Sequence, residues 1–262
     1  MTTQRLDGKV ALVTGGSRGI GRAACLRLAG AGAAVAVNYR ARADAAHEVV
    51  SAIETAGGRA VAIEADVADR AAVVRMVEQT KALLGPVDVL VNNAGVLRSG
   101  SLLQYDDADL DMMWGTNVKG LLHATAAVAP AMIERGWGRV VNVASAAGVG
   151  TALPGTTLYA ATKAAVHVLT KRLAFELGRH GITVNAVVPG YTRTDMTMAG
   201  RSDEEARRVI EMLDARSMIG RGVGEADEIA AVIEFLASPD TAFMTGQLLL
   251  ADGGRMDYLA HV

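Results

Sequence analysis

Two patterns of hydrophobic and polar positions alternate along the chain. Short runs whose central residues are apolar on both faces, rich in β-branched types, fall at 10–13, 34–38, 60–65, 87–91, 139–143, 183–187 and 247–250. Between them lie longer stretches with helical patterning, near 20–29, 43–56, 68–84, 107–135, 158–179 and 225–237. Strands of the first kind are buried on both faces, and the helices between them supply the crossovers that parallel strands need. The pattern predicts an α/β fold, a doubly wound seven-stranded parallel sheet with helices on both faces. No internal repeat, low-complexity tract or linker divides it, so residues 1–262 are expected to form a single domain.

Composition narrows this picture. Hydrophobic residues make up 51% of the 262 and aromatics only 4%, and small, branched apolar side chains suit close packing of helices on a sheet. A balance of 26 basic and 28 acidic residues, net charge −2, gives no nucleic-acid footprint. The single cysteine, Cys25, lies in an apolar helical pattern and reads as a small core residue. The first residues lack the apolar region of a signal peptide, and no run reaches the roughly 18 consecutive apolar residues of a membrane span. The expectation is a soluble cytoplasmic protein with no membrane partner. The five histidines, His47, His123, His167, His180 and His261, show no metal-ligand spacing.

Candidate chemistry begins where the first strand meets the first helix, at Thr14-Gly15-Gly16-Ser17-Arg18-Gly19-Ile20-Gly21. Glycines there let backbone approach a phosphate, and a helix start offers unpaired N–H groups. The spacing is not that of the common G-x-G-x-x-G fingerprint, and a Gly-rich turn that only permits tight packing is the alternative. The second strand ends at Asn38-Tyr39-Arg40, where an NAD-preferring site would place an acid against the ribose 2′-hydroxyl. Neutral Tyr39 followed by Arg40, together with Arg18, suits a 2′-phosphate and hence NADP(H). Asp66-Val67 and Asn92-Asn93-Ala94-Gly95 close the third and fourth strands, at the sheet edge where ligands bind. Asp66 is either an adenine contact or the cap of a helix starting near Ala68. Further on, Tyr159 and Lys163 are four residues apart on a predicted helix and share a face, so the ammonium is expected to lower the phenol's pKa.

In this order and spacing, Thr14-Gly15-x-x-x-Gly19-x-Gly21, Asn92-Asn93-Ala94-Gly95, Ser145 and Tyr159-x-x-x-Lys163 resemble the short-chain dehydrogenase/reductase family. The likeness runs from about Leu6 to Gly254 and is strongest to the 3-oxoacyl-(acyl-carrier-protein) reductase-like branch. It is carried there by Asn117-Val118-Lys119-Gly120, Gly181-Ile182-Thr183-Val184-Asn185, Pro189-Gly190, Thr245-Gly246-Gln247 and Asp252-Gly253-Gly254.

The resemblance implies a Rossmann-type fold and hydride transfer between a nicotinamide and a carbonyl or alcohol carbon, with a small-molecule substrate. It implies Tyr159 as acid/base, Ser145 as second donor to the substrate oxygen, Lys163 on the nicotinamide ribose, and Asn117 holding a water near Lys163. Cofactor contacts are implied for Gly15, Ser17, Arg18, Gly19, Ile20, Gly21, Tyr39, Arg40, Asp66, Val67, Asn93, Ala94 and Gly95, and for Tyr159, Lys163, Pro189, Gly190, Thr192 and Thr194. It also implies a homotetramer pairing the helices at 107–135 and 158–179, and a substrate lid at about 195–220. In that lid Ser202–Glu205 reads as a capping box, with Ala206, Val209, Ile210 and Leu213 on one face. Met196, Met198, Met212 and Met218 would give it an adaptable apolar surface. Carrier-protein docking is put in doubt by Gly136-Trp137 and His180, which stand where such reductases carry basic residues. Two alternatives stand beside an NADP(H)-dependent ketone reductase: an NAD-dependent alcohol or sugar dehydrogenase, and a dinucleotide-binding sensor or scaffold without catalysis.

Overall fold

The computed structural model describes residues 6–198 and 202–259. Each all-apolar run becomes a strand. In chain order the first half comprises β1 (Val10–Val13), α1 (Gly19–Gly30), β2 (Ala34–Tyr39), α2 (Ala43–Thr55), β3 (Ala60–Glu64), α3 (Arg70–Leu83) and β4 (Val89–Asn92). The second half comprises α4 (Asp107–Trp114), α5 (Gly120–Arg135), β5 (Gly138–Val143), α6 (Thr157–Leu177), β6 (Ile182–Pro189) and β7 (Tyr191–Arg193). It continues through α7 (Asp195–Met198), α8 (Asp203–Asp214), β8 (Val223–Glu225), α9 (Ala226–Ala237) and β9 (Leu248–Ala251).

The main sheet has seven parallel strands in the order β3-β2-β1-β4-β5-β6-β9. Register sets Leu12 beside Ala36 on one flank and Leu90 on the other. After β3 the chain crosses back to lay β4 against β1, and this reversal opens a crevice at the strands' carboxyl ends. The two faces bury separate cores. On one, Leu28, Val49, Ile53, Ile233 and Leu236 pack α1, α2 and α9 onto the sheet. On the other, Met76, Val128, Met132 and Ala174 do the same for α3, α5 and α6. Each large side chain so buried stabilises the fold by about 1.5–3 kcal/mol relative to exposure.

Three features depart from the predicted pattern. The single helix expected at 107–135 is interrupted by a π-helical turn over Gly115–Lys119. A small parallel pair, β7 with β8, lies outside the main sheet. Helix α3 begins at Arg70 with Asp69 as its cap, the carboxylate accepting from Ala71 N. The lid forms α7 and α8, and α8 starts with the predicted Ser202–Glu205 capping box and buries Leu213. His261, lid residues 199–201 and the Met198 side chain lie outside the described residues. Among the described residues no helix is long and apolar enough to cross a membrane.

Candidate active site

The glycine turn leaves β1 and is held from beneath by side chains of neighbouring strands. Asn93 Nδ2 donates to the carbonyls of Thr14 and Gly15, both at 2.9 Å. Thr14 Oγ1 accepts from the N–H groups of Asn93 and Ala94 at 3.0 Å, and Asn38 Oδ1 accepts from Gly15 N at 3.1 Å. Gly15 and Gly19 sit at φ 63° and 53°, in the left-handed region that favours glycine. A Cβ on Gly21 would fall 2.2 Å from Gly15 O. The turn feeds α1, whose start carries no side-chain cap, so its first N–H groups remain available to an anion.

That helix start faces a cleft of ≈ 280 Å³. Gly15, Ser17, Arg18, Gly19 and Ile20 line one wall, with Tyr39, Arg40, Asp66 and Val67 toward one end. Asn93, Ala94 and Gly95 lie across the strand ends, and Pro189, Gly190, Thr192 and Thr194 line the opposite side. Ser145, Tyr159 and Lys163 line the same cleft. Two predicted residues do not line it. Gly21 packs behind the turn, and Asn117 borders a separate small cavity with Thr14, Asn92 and Lys163.

Several expected roles are corrected by the geometry. The Asn93 side chain is engaged by the glycine turn. Arg40 is not free but 3.6 Å from Asp66, and Arg18 is 3.5 Å from Asp195, the first residue of α7. Asp66 caps no helix; its Oδ1 accepts from Ala68 N within a turn before α3. Asn117 spends its side chain as a staple, accepting from Val96 N at 2.8 Å and donating to Val96 O and Thr162 Oγ1 at 3.0 Å.

Ser145 follows β5, with its Oγ accepting from Ala147 N at 3.2 Å. Tyr159 lies in the first turn of α6 and Lys163 one turn on, buried, with Nζ donating to Val143 O at 2.8 Å. The ammonium is 5.8 Å from the Tyr159 ring centre. The expected depression of the Tyr159 pKa is overturned. Burial pushes it up to about 12, against a smaller pull downward from the Ser145 hydrogen bond. Burial likewise pushes Lys163 down to about 8. His167, one turn beyond Lys163, is buried with Nε2 lacking a hydrogen-bond partner. Its pKa is lowered, first by burial and then by Lys163.

Sequence reasoning missed Asn38 and Thr197. Asn38 is the one amide in an otherwise apolar run, and its Nδ2 also donates to the carbonyls of Ile63 and Ala65. That isolated polar residue in a buried strand was the available signal. Thr197 Oγ1 donates to Thr192 O at 2.6 Å and ties α7 to β7, and nothing in its sequence context marks it.

The uncapped helix start, the glycine positions that exclude side chains and the cleft's extent fit a dinucleotide. Residues 9–205 match the family model for short chain dehydrogenase. A (2S)-[(R)-hydroxy(phenyl)methyl]succinyl-CoA dehydrogenase subunit of Thauera aromatica is 42% identical over 95% of this chain and 97% of its own. A 3-oxoacyl-[acyl-carrier-protein] reductase of Staphylococcus epidermidis is 41% identical, covering 94% of this chain and 98% of its own. The crystal structure of a Burkholderia cenocepacia short chain dehydrogenase in complex with NADP superposes with a TM-score of 0.86 at 42% identity, covering 95% and 98% of the two chains. With this match running through the glycine turn, Ser145, Tyr159 and Lys163, the chain belongs to the short-chain dehydrogenase/reductase family of oxidoreductases.

Proposed function

We propose that the protein is an NADP(H)-dependent reductase that converts a ketone, as a 3-oxoacyl thioester or another carbonyl compound, reversibly into a secondary alcohol. The observation that carries this reading is the meeting of Ser145, Tyr159 and Lys163 in the same cleft as the uncapped start of α1. When bound, the reduced nicotinamide supplies the hydride. The ketone oxygen then needs a hydrogen bond and a proton as charge develops on it, and Ser145 Oγ and the Tyr159 hydroxyl are the two donors. A phenol pushed up to about 12 is protonated at neutral pH, the form an acid needs. Buried Lys163, 5.8 Å from the ring, offsets the negative charge left on Tyr159 after transfer.

The pyrophosphate falls to the start of α1, and the 2′-phosphate to Arg40 and Arg18, which exchange their carboxylate partners for it. Lys163 and the 189–194 stretch hold the nicotinamide half, and Asn117 keeps the loop at Val96 against α6. The relative from Burkholderia that carries NADP supports this choice over NAD. Exposed Val168 and Phe175 on α6 support a homotetramer through that helix. Carrier-protein docking remains disfavoured by Gly136, Trp137 and His180.

The test is NADPH oxidation against acetoacetyl-CoA, an acyl-carrier thioester and cyclic and aryl ketones, with Tyr159→Phe as control. Loss of the proton donor should lower kcat by about 10²–10⁴-fold while NADPH affinity stays within about threefold. Unchanged turnover by Tyr159→Phe would refute the assignment.

A further inference from the structure

The residues after β9 bind three functional segments together. Asp252 lies directly on Gly190, where an added Cβ would come 2.7 Å from the Asp252 Cα. Gly253 and Gly254, at φ 71° and 68°, bend the chain across the end of the lid. Their carbonyls accept from Ile219 N at 3.3 Å and Met218 N at 2.9 Å. A side chain at Gly253 would meet Arg221 O at 2.8 Å and Ser217 Oγ at 2.9 Å, so this bend admits no other residue without displacement. Arg255 then forms an antiparallel bridge with Ser217, and Met256 N donates to Arg216 O at 2.9 Å.

Beyond it the chain reaches the segment that links Ser145 to Tyr159. Ala152 N donates to Asp257 O and Leu259 N to Gly150 O, both at 2.9 Å, and Tyr258 bridges Thr151. Asp257 does two jobs at once. Its backbone holds the 150–152 wall, while its buried carboxylate accepts from Arg255 Nε and from Arg255 Nη2 at 2.9 Å and lies 3.4 Å from Arg216 Nη1. The Arg255 guanidinium holds that carboxyl below the usual carboxylate range. Tyr258 closes the loop on its own origin, donating to Asp252 Oδ2 at 2.5 Å.

We infer that residues 252–259 act as a strap fixing the separation between the lid base at 216–219 and the 150–152 wall, with Asp257 as the positioning residue that selects which ketones fit. The strap touches neither cofactor nor reacting atoms. Neutralising Asp257 leaves two arginines without their shared partner, which loosens the substrate side and spares the glycine turn. The inference rests on the proposed Ser145–Tyr159 site.

It is tested with Asp257→Asn in the full chain, by NADPH titration and steady-state kinetics on a small aliphatic and a bulky aryl ketone. The ratio of kcat/KM for the two should shift at least about fivefold, through KM, with NADPH Kd within about twofold. Asp257→Glu should recover part of the shift. A ratio equal to that of the unsubstituted protein overturns the inference, as does a parallel weakening of ketones and NADPH. If Asp257→Asn does not fold, Arg216→Gln removes the lid end of the contact and is judged by the same ratio. Failure of the site reading looks different, because Tyr159→Phe would then retain turnover whatever the ratio does.

Discussion

The cofactor side and the substrate side of the cleft are built on opposite plans. The glycine turn is braced by short hydrogen bonds from Thr14, Asn38 and Asn93, residues at the ends of adjoining strands. The substrate side consists of α7, α8 and the 150–152 wall, tied by the C-terminal strap and by exposed ion pairs such as Arg18–Asp195. Met196, Met218 and Ile219 are exposed there. A rigid floor suits a ligand whose shape never varies, whereas a side built from distant segments lets the substrate change while the floor is kept.

The contrast breaks most severely at Gly21. Gly21→Ala places a methyl 2.2 Å from Gly15 O, and backbone cannot yield as a side chain can. NADPH affinity should fall by at least about 100-fold, equivalent to roughly 2.7 kcal/mol, read by fluorescence titration. A smaller loss would show the floor to be more pliable than its hydrogen bonds suggest.

Next comes Arg40→Asp, which removes a cation and adds a charge beside Asp66. NADPH should weaken by about 10–100-fold, the worth of a charge-assisted hydrogen bond, with NADH changing by less than about threefold. Equal effects on both would remove the 2′-phosphate from Arg40.

The smallest effect is graded with pH. Lys163, pushed down to about 8, is charged below that value and neutral above it. The reductive kcat/KM of the free enzyme should therefore fall by up to about tenfold per unit as pH rises past 8. Lys163→Arg stays charged throughout and should lose this alkaline limb even if its rate is lower.

The seven-stranded sheet was legible because each of its strands is apolar on both faces, a pattern that a parallel strand between helices imposes. The glycine turn and Tyr159-x-x-x-Lys163 were legible because their chemistry needs fixed spacing along one element. β7 and β8 were not, since three residues each are too few to display a period. The sign of the Tyr159 shift was hidden for another reason. Helical spacing brings Lys163 onto the same face, but how deeply the phenol is buried depends on segments far away in the chain. The arginine pairings were hidden likewise, as Arg18 and Asp195 are 177 residues apart.

The wide turn at Gly115–Lys119 has a consequence for how the chain tolerates length change. It houses a surplus residue relative to a regular α-helix, in which each residue advances about 100° around the axis. Removing one residue there would rotate α5 against α4 by about that angle, turning either buried Met113 or buried Leu121 out of its core. At Gly57, by contrast, nothing lies within 4 Å of an added Cβ, and the same deletion would shorten a surface turn. Insertions and deletions among relatives are thus expected to gather at such turns and to spare the stretch from Trp114 to Gly120.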